Sequence, residues 1–191
     1  MFKRRSARLL VALIAVIAPV VAGTPALAQD TTFNPAAGGA TSDRVAASTP
    51  AILTPGCGYL IYSFAVQKFV SANLSQSDYP LQASATDAGP WERFCLVKVS
   101  GLNGDWAILS QANNKYVSAR ADLPNHPLQA RAQNVGSFEK FYIRQLISGQ
   151  YSFLSGAGGD FVSARADLPT YPLHARGAEE GAWERFYIGL N

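Results

Sequence analysis

Phe69-Val70-Ser71-Ala72, Tyr116-Val117-Ser118-Ala119 and Phe161-Val162-Ser163-Ala164 are one four-residue phrase written three times. Eleven residues after each leading aromatic comes a second phrase: Pro80-Leu81-Gln82-Ala83, Pro127-Leu128-Gln129-Ala130 and Pro172-Leu173-His174-Ala175. Eleven further on stands a third: Trp91-Glu92-Arg93-Phe94, Phe138-Glu139-Lys140-Phe141 and Trp183-Glu184-Arg185-Phe186. Ten residues before each first phrase lies another aromatic, Tyr59, Trp106 or Tyr151. All these spacings hold without a gap, and the periods of 47 and 45 residues differ only in the connection 98–104. A fixed period of this length marks a repeat architecture.

Each copy reads as four short strands separated by Gly, Asn, Asp and Pro, the pattern of an all-β fold. In the fourth strand Phe94 and Leu96 share one face, as do Phe141 and Ile143, and Phe186 and Ile188. Side chains alternate across a strand, so that face points inward. Propellers need about four to eight blades, and a solenoid wants distinct capping repeats. Three near-equal copies instead predict a closed unit with pseudo-three-fold symmetry, a β-trefoil. Its barrel takes the first and fourth strands of each copy, and hairpins of the second and third strands close one end. The repeats run over about 57–100, 101–146 and 147–191.

The three phrases taken together resemble the fascin-like β-trefoil repeat, and the resemblance covers essentially all of 57–191. It implies the trefoil fold and a protein contact of the fascin, actin-binding type. Fascins carry four trefoils in tandem and bundle filaments, whereas one such unit is present here. The Q-x-W pattern of ricin-type lectin trefoils is absent.

The flanking sequence has a different character. Lys3, Arg4, Arg5 and Arg8 precede an apolar run over 9–22 and the triplet Ala26-Leu27-Ala28, the layout of a secretory signal peptide over 1–28. That run has 14 residues, short of a spanning helix. Residues 29–55 are rich in Ala, Thr, Gly and Pro, and read as a flexible tether to a domain over 56–191. The whole 191-residue chain carries a formal charge of +3. Removing 1–28 leaves 12 basic against 13 acidic side chains, a net charge of −1. The basicity belongs to the leader, so no nucleic-acid partner is expected, and no membrane partner once the leader is cleaved. A secreted, extracellular monomer is expected. Two cysteines in an exported chain predict a disulfide between Cys57 and Cys95. With only His126 and His174 besides, neither a metal site nor any cofactor is expected.

Glu92, Glu139 and Glu184 recur at one place in every copy, which argues for structural acids rather than the unlike carboxylate pair of a glycosidase. No nucleophile and base stand together, so no catalytic residue is assigned and no enzyme activity is expected. The recurring aromatics Tyr59, Trp106, Tyr151, Trp91, Phe138 and Trp183 read as core. Recognition is expected at the hairpin tips, where 117–124 and 162–169 are the identical string V-S-A-R-A-D-L-P. Arg120, Asp122, Arg165 and Asp167 are the candidate ligand-binding residues, with His126 and Tyr171 offering a flat surface nearby. Asn73, Ser75 and Ser84 show that copy one has lost the charges. These features point to a secreted, non-catalytic module binding a glycan or an extracellular protein, with glycan first.

Overall fold

The barrel strands alternate apolar and polar residues, and the register between them explains the repeat spacing. In the computed structural model, which describes residues 53–99 and 105–190, Tyr59 lies opposite Phe94, Trp106 opposite Phe141 and Tyr151 opposite Phe186. One cross-strand pair per copy, a constant 35 residues apart, thus sets the distance between the first aromatic and the phenylalanine of the third phrase. The expected signal peptide 1–28 and tether residues up to 52 lie outside the described residues, as do 100–104 and 191.

Twelve strands form one continuous antiparallel sheet. Copy one supplies β1 (Gly56–Ser63), β2 (Lys68–Ala72), β3 (Leu81–Ala85) and β4 (Arg93–Lys98). Copy two supplies β5 (Trp106–Ser110), β6 (Lys115–Ala119), β7 (Leu128–Ala132) and β8 (Phe141–Gln145). Copy three supplies β9 (Tyr151–Ser155), β10 (Phe161–Ala164), β11 (Leu173–Gly177) and β12 (Phe186–Leu190). β1, β4, β5, β8, β9 and β12 pair in a closed ring, which leaves no open edge in the barrel. The hairpins β2–β3, β6–β7 and β10–β11 branch from that ring, where β2, β6 and β10 pair with the ends of β1, β5 and β9. The fold is a β-trefoil.

The core repeats as the sequence does. Phe94, Phe141 and Phe186 are fully buried, with Val70, Val117 and Val162 beside Leu81, Leu128 and Leu173. Each such large apolar side chain contributes about 1.5–3 kcal/mol by leaving water. Cross-strand pairs Ile61–Ile188, Leu96–Ile108 and Ile143–Phe153 fill the same barrel layer. Leu53 packs on this core, and the Tyr59 hydroxyl donates to the Thr54 carbonyl at 2.7 Å, so the end of the expected tether is docked. Cys57 and Cys95 face each other across β1 and β4 and form a disulfide. No helix among the described residues is long and apolar enough to cross a membrane.

The hairpin cap is stapled in a cycle. The Ala83 amide donates to the Tyr171 carbonyl, Ala130 to Tyr79 and Ala175 to His126, each at 2.9 Å. Every Pro-Leu-x-Ala phrase therefore binds the residue before the proline of another copy. Tyr79, His126 and Tyr171 adopt left-handed φ values of 48°, 46° and 50° to present those carbonyls. Such backbone costs about 1–2 kcal/mol per non-glycine residue and persists where the surroundings enforce it.

Candidate functional site

The hairpin tips share one backbone. Asn73, Arg120 and Arg165 each donate an amide hydrogen bond to the carbonyl of Pro80, Pro127 and Pro172, at 2.9, 3.0 and 3.0 Å. A tight turn follows in each copy, through Gln76, Leu123 and Leu168. The charges are superimposed on this common frame. Arg120 Nε and Nη2 donate to the two oxygens of Asp122 at 2.7 and 2.5 Å. Arg165 grips Asp167 in the same way at 2.8 and 2.6 Å. The arginine side chains are 17% exposed in both pairs, the aspartates 42% and 41%. The carboxylate is therefore the presented group and the guanidinium its support. Hydrogen bonding to the guanidinium holds both carboxyls below the usual range and raises both arginines. Arg120 also donates through Nη1 to Gln129 Oε1 at 3.2 Å. In copy one Asn73 performs the same service for Gln82 at 3.1 Å and accepts from Ser75, a neutral version of the turn.

An open cleft of about 240 Å³ lies beside the second tip, between β6, β7 and the turn before β8. Ser118, Arg120, Asp122, Arg131, Phe138 and Glu139 line it. Arg120 and Asp122 are thus brought together as expected, but His126 and Tyr171 are not part of the lining. Their backbones serve the cap staple, and His126 Nδ1 lies 3.1 Å from the Ala175 carbonyl and 3.6 Å from Asp160. Tyr171 packs partly against the core with Lys68 Nζ over its ring at 5.6 Å.

The six recurring aromatics divide, which corrects their reading as core. Tyr59, Trp106 and Tyr151 are buried, as the barrel requires. Trp91 and Trp183 are 40% and 38% exposed, and Phe138 is half-buried. These three precede the buried glutamate in the third phrase, so they fall on the turn outside the barrel rather than on the strand. Arg165 sits over the Trp183 ring at 5.7 Å, within cation–π range. Ser118, Arg131, Ala132, Phe138 and Glu139 also line the cleft and lie outside the candidate ligand-binding residues. The signal for Arg131 was its recurrence as Arg176.

The glutamates are committed to the fold. Glu92, Glu139 and Glu184 are buried, and each accepts from the amide of a glycine three residues earlier: Gly89, Gly136 and Gly181, at 2.7, 2.7 and 2.9 Å. Ser118 and Ser163, the serines of the first phrase, donate to the other oxygen of Glu139 and Glu184 at 2.5 Å. A Cβ on Gly89, Gly136 or Gly181 would stand 2.9–3.1 Å from the glutamate oxygen, which explains the small residue at that place. Among the described residues, no cluster of three His, Cys, Asp or Glu side chains could hold a metal ion.

No protein-family model matches this chain, and no curated protein matches it. Solved structures do. A designed three-fold symmetric protein, ThreeFoil, matches with a TM-score of 0.61 at 10% identity over 69% of this chain and 98% of its own. The Rhizoctonia solani agglutinin matches at 0.62 and 10% identity, over 75% and 100%. The Polyporus squamosus lectin, solved with the epitope Neu5Acα2-6Galβ1-4GlcNAc, matches at 0.60 and 11% identity, over 72% of this chain and 50% of that one. At these identities the likeness concerns the fold.

Proposed function

We propose that this protein is an exported, non-catalytic module that binds glycans through the cleft beside its second charged hairpin tip. The observation that carries the reading is the cleft of the second copy. There, a carboxylate held ionised by its own arginine stands beside an aromatic ring. Sugar recognition needs this combination, since hydroxyls donate to a fixed carboxylate while an apolar ring face packs on an aromatic. The lectin and agglutinin among the trefoil neighbours support it, and so does the absorption of all three glutamates by structural hydrogen bonds. The leader expected over 1–28 would deliver the module outside the cell, where a disulfide persists.

Titration of the exported protein against plant, fungal and bacterial polysaccharides tests the reading. Saturable binding that Asp122→Asn weakens is expected. Flat isotherms across the panel, with co-sedimentation on actin filaments, would transfer the reading to the fascin-type protein contact that the repeat motifs imply.

A further inference from the structure

If the chain is a glycan-binding module, its three hairpin tips differ in a way that selects the class of sugar. In copy two, Gln129 Oε1 receives two guanidinium groups, Arg120 Nη1 at 3.2 Å and Arg131 Nη1 at 3.4 Å. Asp122 forms its ion pair with the first of them, and only a longer-range attraction reaches the second. Glu139, whose oxygens accept from the Ser118 hydroxyl and the Gly136 amide, makes no ion pair with the second. Among the described residues Arg131 forms no ion pair, and it lies exposed on the wall of the cleft that Phe138 also lines. The other copies have redirected or lost this cation: Arg176 too has no ion pair among the described residues, but its guanidinium is turned away from its own tip. Arg176 reaches across to the neighbouring hairpin and donates to Asn125 Oδ1 at 2.7 Å, and copy one has Ser84 at the place.

We propose that the copy-two cleft binds an anionic sugar, a uronate residue of an acidic polysaccharide. Arg131 donates to the sugar carboxylate, Asp122 accepts from adjacent hydroxyls, and Phe138 supports the apolar ring face. A planar guanidinium matches a carboxylate in a two-point contact, and such charge-assisted bonds are about twice as strong as neutral ones. The neighbouring Asp122 matters to the choice of ligand. It repels a densely charged polyanion, whereas a sugar with one charge among several hydroxyls meets one free cation and one acceptor.

Calorimetric titration with galacturonate, glucuronate and mannuronate oligomers, their methyl esters and neutral chitohexaose tests this. At least one acid should bind about tenfold more tightly than its ester, a difference that one charge-assisted hydrogen bond supplies, and added salt should erode that preference. Arg131→Gln should bring the acid down to the affinity of its ester, while Arg176→Gln should retain the preference. Equal affinity for acid and ester, or a preference that survives Arg131→Gln, would overturn the assignment while leaving glycan binding itself intact. No response to any of these sugars or to the wider panel would end both.

Discussion

His174 is a residue at which the repeat breaks its own hydrogen-bond scheme. Gln82 and Gln129 each accept from the tip residue above them, Asn73 or Arg120. His174 fills the same place in copy three, buried, with Nδ1 lacking any hydrogen-bond partner. Burial, followed by the Arg165 and Arg176 guanidiniums, pushes its imidazole below the ordinary value. The folded state therefore holds fewer protons here than the unfolded chain, whose histidine titrates near about 6.5. Stability contributed by neutral His174 is complete above that pH and is lost as the pH falls through the window below it. His174→Gln, the choice of the other copies, should raise the melting temperature at pH 5 by more than at pH 8, as thermal unfolding at both would show. Glu139 poses the opposite case, a buried acid fully used. Glu139→Gln turns one accepting oxygen into a donor facing either Ser118 or Gly136, and should cost about 1.5–3 kcal/mol in urea unfolding. An unchanged midpoint would remove Glu139 from the structural frame.

The strands and hairpins divide labour along the third phrase itself. Its aromatic lies on the outer turn, its glutamate in copies two and three ties that turn to the serine of the first phrase, and its phenylalanine starts the inward face of the barrel strand. Truncating that phenylalanine empties the centre of the barrel: Phe141→Ala should destabilise by about 3–5 kcal/mol, with Phe94→Ala and Phe186→Ala costing the same within error. Unequal costs in equilibrium denaturation would mean that the three copies do not share the core evenly. The cap depends on backbone more than on side chains, since the staples run from alanine amides to the carbonyls of Tyr79, His126 and Tyr171. This is why histidine can replace tyrosine in copy two. His126 and Tyr171 accordingly do not line the copy-two cleft.

At the scale of the molecule, three-fold repetition serves the fold, and its local failures mark the places where binding is free to diverge. Exchanging Arg120 and Asp122 for the Asn and Ser of copy one should leave the melting temperature nearly unchanged, because Asn73 already satisfies Gln82 in that frame. Glycan binding in copy two should be lost by the same exchange; retained affinity would place the site elsewhere. The repeat spacing was enough to give the strand order, the hairpins, the inward faces and the structural nature of the glutamates. These follow from periodicity, and each period is one cross-strand pair or one staple. The identical tips at 117–124 and 162–169 made Arg120, Asp122, Arg165 and Asp167 the candidate binding residues. Sequence could not tell that each guanidinium is already consumed by its aspartate, nor that Trp91 and Trp183 turn outward while Tyr59 and Trp106 turn in. Nor could it show that, among the described residues, Arg131 stays without an ion pair on the cleft wall while Arg176 reaches another hairpin. Those outcomes depend on distances between groups from different strands and different copies, which the order of residues along one copy does not contain.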